Sequence, residues 1–419
     1  MKRAMTRACL LAVCLTGMAT NGIAQTTGAT ADETLPADAQ AQAWLEQSPP
    51  VRRAQALLDA ARHGARALAA GPHEWTLKAT TQQRRYQEGG VSREWSLSLE
   101  RSLRWWGKAE LDRRLGEHGQ RLAQALLGEA RHEAARQLAE LWLGLLAARE
   151  GLVLAESQQA LALQQRDAVA RRHRAGDAAR LDLDWAEAEL SEAQRLQREA
   201  ATRLTQAGIQ LQRFTTEQPA AASVPAPALL QAPGGVDWVA HMVEDSDALL
   251  SARLQAEQAE LHARRQAAER RPDPTVGLYT ASEASRSERL VGLSLSLPLG
   301  GAQREARLGQ ALAEAEASRA ALAQVRAEVE AEARALLARW EGGVEAWSRA
   351  KAQREAATQA SRRVQRGYEL GELDLAALVQ SRRLQAEAER AELQARLEAQ
   401  QARTRLLVDA HQIWGLAHD

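Results

Sequence analysis

The stretch Trp95-Ser96-Leu97-Ser98-Leu99 alternates large apolar with small polar residues, and half a chain later the alternation returns as Leu293-Ser294-Leu295-Ser296-Leu297. A period of two is the signature of a β-strand with two unlike faces. In the first copy Trp95, Leu97, Leu99 and Leu103 share one face, and Ser96, Ser98, Glu100 and Ser102 the other. In the second, Val291, Leu293, Leu295, Leu297 and Leu299 alternate with Gly292, Ser294 and Ser296. Each copy runs into a very long helical stretch, from Gly107 and from Gly301. Each stretch then breaks at a glycine followed by Leu-Asp-Leu: Gly176 with Leu181-Asp182-Leu183, and Gly371 with Leu373-Asp374-Leu375. The chain is an internal two-fold repeat, a layout suited to a tube rather than to a catalytic centre.

Proline placement sets the helix lengths. No proline lies between 73 and 218 or after Pro298, and a proline inside a helix costs about 3 kcal/mol. Residues 25–71 read as an irregular segment followed by a helix over 37–70. Residues 72–104 read as a first hairpin around a polar loop, Gln83–Glu94, and 105–214 as a helical hairpin (107–174, returning over 182–213). A Pro/Ala linker at 215–236 and a helix over 237–271 follow. The second half repeats the plan: a β-hairpin at 272–299 around Ser282–Glu288, a helical hairpin at 300–414, and a short tail at 415–419. At 1.5 Å per residue each long helix extends about 100 Å. In the second, Leu322, Val325, Val329, Ala333, Leu336, Trp340, Val344 and Trp347 step by threes and fours, close to an eleven-residue repeat, which favours straight packing over a left-handed supercoil.

The fold class expected is mainly α with a small β part. Alternating strands fit a half-buried soluble sheet and equally a membrane barrel that is apolar outside and small-polar inside. Four strands per chain decide between them, because a soluble four-stranded sheet cannot bury so much helix. Ser96, Ser98, Ser294 and Ser296 are then expected to face the lumen. Trp75, Trp95, Trp105 and Trp106, near strand ends, suit either an interfacial aromatic belt or ordinary packing at a strand–helix corner.

Composition narrows the function. Lys2, Arg3 and Arg7, the apolar run Ala8 to Met18 and Gly22-Ile23-Ala24 read as a signal peptide over 1–24. Cys9 and Cys14, the chain's two cysteines, both fall inside it, and Val13 makes Cys14 a poor lipid acceptor. Lys plus Arg equal Asp plus Glu at 54 each, so no basic excess points to nucleic acid. No later stretch is apolar enough for a membrane helix, so any crossing must be made by a closed barrel. No phosphate loop, nucleophile elbow or cysteine cluster is present. The nine histidines are scattered, no two share a helical face at His-x-x-x-His spacing, and Glu129-x-x-His132 has no second copy. No catalytic residue, cofactor or metal ligand is expected. Asp177, Asp182 and Asp184 crowd the first helix break, and Glu369, Glu372 and Asp374 the second. Asp182 and Asp374 read as caps of the returning helices or as carboxylates at a pore mouth.

Gly367-Tyr368-Glu369-Leu370-Gly371 with Leu373-Asp374-Leu375, Arg270-Arg271-Pro272-Asp273-Pro274 before the third strand and Leu297-Pro298-Leu299-Gly300-Gly301 after the fourth resemble the TolC-like outer-membrane efflux family. The short length and the Pro-Asp-Pro entry look most like its CzcC-type heavy-metal branch. The resemblance implies a homotrimer in outer-membrane lipid, a twelve-stranded β-barrel and a periplasmic α-barrel. It implies a passive exit duct served by a periplasmic adaptor and an inner-membrane pump of the RND type. It also implies that Tyr368 and Asp374 hold the tunnel's inner end closed, with Asp182 as the first-repeat equivalent of Asp374. Ala377, three residues after Asp374, departs from the family pattern, and the turn after Gly371 reads as shorter than that after Gly176. A protein-secretion duct of the same fold and a coiled-coil periplasmic scaffold without a barrel are the alternatives.

Overall fold

A computed structural model describes residues 34–105, 107–220, 223–227 and 237–416. The signal peptide expected over 1–24, the segment to residue 33, Trp106, residues 221–222 and 228–236 of the expected linker and residues 417–419 of the tail lie outside the described residues. The elements run α1 (Asp38–Gln47), α2 (Pro49–Ala70), β1 (Thr76–Arg85), β2 (Val91–Ser102), α3 (Lys108–Arg174), α4 (Arg180–Leu211), α5 (Trp238–Glu244), α6 (Asp247–Glu269), β3 (Thr275–Glu283), β4 (Glu288–Ser296), α7 (Ala302–Glu369) and α8 (Leu375–Asp409). The chain is mainly helical, and among the described residues there is one antiparallel sheet, in the order β1-β2-β3-β4. Among the described residues no helix is long and apolar enough to cross a membrane.

Two expected helices are each split. The 37–70 helix breaks at Ser48, which is extended at φ −66°, ψ 141°. Pro49 follows it, and a residue before proline is pushed out of the helical region, while proline itself suits a helix start. The 237–270 helix breaks at Asp245, and Ser246 caps the new helix by accepting from the Leu249 N–H at 3.2 Å. Both hairpin strands extend into the loops expected at 83–94 and 282–288. Gln83 pairs with Arg93 and Arg84 with Ser92, so that turn spans only residues 86–90. Polar residues on both faces read as loop in the sequence because alternation carries no signal where neither face is apolar.

The main core lies near mid-length of α3. Leu138, Trp142, Leu143, Leu145 and Leu146 pack against Leu45, Val51 and Leu58, and against Leu211, Val408 and Trp414. Trp142 donates to the Thr34 carbonyl at 2.7 Å, and Trp414 donates to the Pro36 carbonyl at 3.1 Å. The described linker joins this core: Val224 is buried, its N–H reaches Glu150 at 3.1 Å, and its carbonyl accepts from Arg396 at 2.9 Å. A second cluster packs Ala333, Leu336 and Trp340 of α7 against Trp238, Met242 and Leu406. These three α7 residues belong to the stripe of threes and fours, which is the face α7 turns inward.

A buried ionic collar joins sheet to helices. Lys108, fully buried, lies 2.9 Å from Asp273 and 3.1 Å from Glu269. Asp273 also meets His73 at 3.1 Å and the Trp105 N–H at 3.2 Å. Arg104 and Arg265 both pair with Asp112. The Pro272-Asp273-Pro274 motif thus sets one carboxylate, with rigid backbone on both sides, where the two hairpin layers meet. Burial pushes Asp273 up, but Lys108, His73 and the Trp105 N–H outweigh it and hold the carboxyl below its ordinary range. Glu269 follows the same balance: burial raises it, and Arg265 with Lys108 brings it below.

Candidate functional site

The sheet presents two faces of different chemistry. Register places Leu77, Leu99, Leu278 and Leu293 in one row across all four strands. All four stand in the open, at 67%, 40%, 53% and 84% exposure. The adjacent row on that face is Ala79, Leu97, Thr280 and Val291. The opposite face carries Thr76, Glu100, Gly277 and Ser294 in one row, and Lys78, Ser98, Tyr279 and Gly292 in the next. Ser96 stands between Thr80 and Ala281, and Ser296 is opposite Thr275. The four serines therefore share one face with Lys78, Gln82, Arg84, Glu94 and Glu100. On it Gln82 donates to Glu94 at 2.7 Å, and Arg84 pairs with Glu94 at 3.2 Å. β1 and β4 are open edges of the four-stranded sheet. Trp75 and Trp105, flanking the strands, are exposed, and Arg101 lies over the Trp75 ring at 5.4 Å.

The opposite pole of the chain is formed by the two helical turns. Gly176 and Gly371 have φ of +87° and +78°. Both close a helix in the same way. The Asp177 N–H reaches back to the Arg172 carbonyl and the Gly176 N–H to the His173 carbonyl; Glu372 and Gly371 make the matching bonds to Gly367 and Tyr368. This double closure requires the left-handed region at the glycine. Leu373 then folds over α7 at Gly367, where a Cβ would lie 2.8 Å from Leu373 Cδ1. The Gly-Tyr-x-x-Gly spacing is thus the closure of one helix end.

The two turns are equal in length, which corrects the shorter turn expected after Gly371. α4 starts at Arg180 and α8 at Leu375, each four residues past its glycine. Counting from the glycines, Ala179 takes the place of Asp374, and Asp182 takes the place of Ala377. The Leu-Asp-Leu motifs misalign the turns by three residues. Asp374 is the N-cap of α8 and accepts from the Ala377 N–H at 2.8 Å. Asp182 acts one turn further on, accepting from the Ala179 N–H at 3.1 Å. Each tip thus carries one carboxylate on its helix start, at complementary positions.

The tips touch. Val169, Leu183 and Ala186 pack with Leu375 and Leu378, flanked by Tyr368. Arg172 donates to the Tyr368 hydroxyl at 2.9 Å. Arg383 of α8 pairs with Glu189 of α4. Half-buried Arg382 is pushed down by burial, partly offset by Tyr368 and Glu369. The sequence singles out Tyr368 and Asp374, and Gly367 within the Gly-Tyr-x-x-Gly stretch, but not Arg172. Arg172 sits in the run Arg171-Arg172-His173-Arg174, where spacing alone does not single it out.

A third group was also missed. Histidines scattered in sequence meet in space: His132 of α3, Asp247 of α6 and His411 after α8 bring their ligand atoms within 4.8 Å of one another. No spacing rule within one helix reveals a site assembled from three elements.

The architecture is that of outer-membrane channel proteins of known structure. OprN, an outer-membrane channel, superposes with TM-score 0.79 at 19% identity over 91% of this chain and 92% of its own. CusC, known from crystal structures concerned with folding and transmembrane channel formation, gives 0.75 at 14% over 89% and 91%. The outer membrane protein VceC of Vibrio cholerae gives 0.73 at 16% over 89% and 95%. No family model and no curated protein matches the sequence. At these identities the likeness speaks for the fold.

Proposed function

We propose that the chain is one protomer of an outer-membrane exit duct of the TolC-like kind, a passive channel rather than an enzyme. The observation that carries this is the exposed leucine row Leu77, Leu99, Leu278 and Leu293 opposite a serine-lined charged face. Water penalises such a row, hydrocarbon does not, and lipid tolerates a sheet only when its edges close. β1 and β4 are open, so closure needs further copies. Three protomers supply the twelve strands of a homotrimeric barrel. α3 and α7, at 67 and 68 residues, each reach about 100 Å and form the periplasmic tunnel.

The tips then face the periplasm, where Asp182, Tyr368 and Asp374 narrow the inner end and an adaptor engages it. The inner-membrane pump, of the RND type by resemblance, supplies energy and selectivity. Heavy-metal cations are the first cargo to test, on the branch-level likeness alone; neighbours that are outer-membrane channels support the duct and not the cargo.

The test is extraction followed by recording. A duct is expected to need detergent, to migrate as a heat-modifiable trimer and to conduct ions in planar bilayers. A water-soluble, elongated, non-conducting protein overturns the reading in favour of a scaffold. Growth of a deletion strain on zinc, cobalt, cadmium and copper, beside dyes and antibiotics, separates metal from drug efflux. Loss of an exported protein without any sensitivity identifies a secretion duct.

A further inference from the structure

His411 occupies a left-handed turn position of the kind that glycine usually holds. It follows the last residues of α8 with φ +54°. Its N–H bonds the Val408 carbonyl, and the Gln412 N–H bonds the Leu407 carbonyl, so the turn is the same double closure that uses glycine at 176 and 371. A side chain at this left-handed position is disfavoured. Here the imidazole is turned inward, its side chain 6% exposed, and its ring centroid lies 4.8 Å from that of His132.

The geometry around it is that of a ligand set. His132 Nδ1 is 3.3 Å from Asp247 Oδ2 and 3.2 Å from His411 Nε2, and His411 Nε2 is 4.0 Å from Asp247 Oδ2. A tetrahedral ion bound at about 2.0–2.1 Å separates its ligands by about 3.3 Å. Two sides of the triangle already match this, and the third closes by well under an ångström.

The orientation of His132 fits as well. Its Nε2 is 2.9 Å from the Val408 carbonyl, which accepts only, so Nε2 carries a hydrogen; Nδ1 faces Asp247 Oδ2 and His411 Nε2, and a bound ion would take the place of any proton held there. A carbonyl partner on the far nitrogen is the usual outer support of a metal-bound imidazole. Asp409 lies 3.5 Å from that same far nitrogen and pairs with Arg136 and Arg405, whereas Asp247 lies on the Nδ1 side of the ring with His411. Asp247 sits closely against α3 at Gly128, where a Cβ would fall 2.6 Å from its Oδ1. A cavity of about 170 Å³ lined by Glu129, His132, Asp247 and Asp409 offers room for a water as fourth ligand.

We propose that His132, Asp247 and His411 form a three-ligand site for a divalent transition ion of the Zn²⁺ class, which ties α3, α6 and the end of α8 together. Two imidazoles and one carboxylate suit such an ion better than Mg²⁺ or Ca²⁺, which take oxygen ligands. The role is structural, a clamp across three helices, and it stands whether or not the protein conducts.

The experiment uses untagged, full-length, chelator-stripped protein in detergent, titrated with Zn²⁺ and, separately, with Co²⁺. Wild type is expected to bind one ion per protomer, with the visible bands of tetrahedral Co²⁺ and a raised unfolding temperature. His411→Gly supplies the residue the turn prefers, so it is expected to fold at least as well without metal while binding at least about 100-fold more weakly. Asp247→Asn is expected to weaken binding likewise. Sub-stoichiometric binding by wild type, or unchanged binding by folded His411→Gly, overturns the site. Failure to bind together with a doubly protonated His132 in imidazole NMR overturns it in favour of a proton held by Asp247.

Discussion

The guanidinium of Arg172 donates to the hydroxyl of Tyr368 at 2.9 Å and lies 5.5 Å from the Tyr368 ring centroid, so the tip of the first helical hairpin is bonded to the tip of the second. The pair uses both a hydrogen bond and the ring face. Tyr368→Phe removes the first and keeps the second, whereas Tyr368→Ala and Arg172→Ala remove both. Each contact is worth about 0.5–1.5 kcal/mol at a partly exposed site. If the tips restrain the inner end, single-channel conductance in planar bilayers rises modestly in Tyr368→Phe and further in the two alanine variants, while the trimer persists. Wild-type conductance in all three removes this pair from the gate.

The sheet faces give a sharper contrast, between neighbours in sequence. Leu293 points to the apolar face, and Ser294 to the face of Ser96 and Ser98. An arginine facing lipid near mid-bilayer costs about 2–4 kcal/mol, but one facing a water-filled lumen does not. Leu293→Arg is therefore expected to lower the yield of heat-modifiable trimer strongly. Ser294→Arg is expected to assemble normally and shift ion selectivity toward anions. Equal yields from the two variants contradict a lipid-facing leucine row.

How much of this was legible in the sequence depends on the kind of signal. Strand parity and proline placement gave the hairpins and the long helices, because both follow from local backbone geometry. Ser48 and Asp245 were harder: each breaks a helix whose apolar pattern continues across the break, although Pro49-Pro50 marks the first. The hairpin tips show the opposite failure. Leu181-Asp182-Leu183 and Leu373-Asp374-Leu375 look equivalent as strings, yet the glycines set the register and put Asp182 opposite Ala377. Counting from Gly176 and Gly371, which must sit at positive φ, aligns the turns correctly. Contacts between distant elements, such as Lys108 with Asp273 or His132 with His411, leave no periodic trace and become visible only in the fold.

The collar around Lys108 predicts an acid-side dependence of stability. Asp273 and Glu269 are held below their ordinary ranges. Groups depressed in the folded state stabilise it above their unfolded pKa and lose that contribution as pH falls through the folded value. The protein is thus expected to keep its stability down to about pH 4 and to lose it below. Lys108→Met leaves Asp273 without its main cation and Glu269 with Arg265 alone, a change on the order of 3 kcal/mol. Thermal unfolding followed by circular dichroism is expected to show a lower midpoint at pH 7 and an acid transition displaced to higher pH. A variant with the wild-type acid transition shows that Lys108 does not set it.

Asp374 combines two roles that one substitution cannot separate but two can. Its side chain caps α8 through the Ala377 N–H at 2.8 Å, and its charge stands exposed at the tip. Asparagine caps a helix about as well as aspartate, whereas alanine costs about 0.5–2 kcal/mol. Asp374→Asn therefore removes the charge and keeps the turn, while Asp374→Ala removes both. If the carboxylate itself narrows the pore, Asp374→Asn is expected to raise conductance and weaken block by divalent cations as fully as Asp374→Ala does. If the cap is what matters, only Asp374→Ala opens the channel, with faster proteolysis at the 371–374 turn. The same pair of substitutions at Asp182, which bonds the Ala179 N–H from one turn inside its helix, tests whether the first hairpin contributes a charge of its own. An additive rise in the double asparagine variant is expected of two separate carboxylates, and no further rise is expected if Asp374 alone faces the pore.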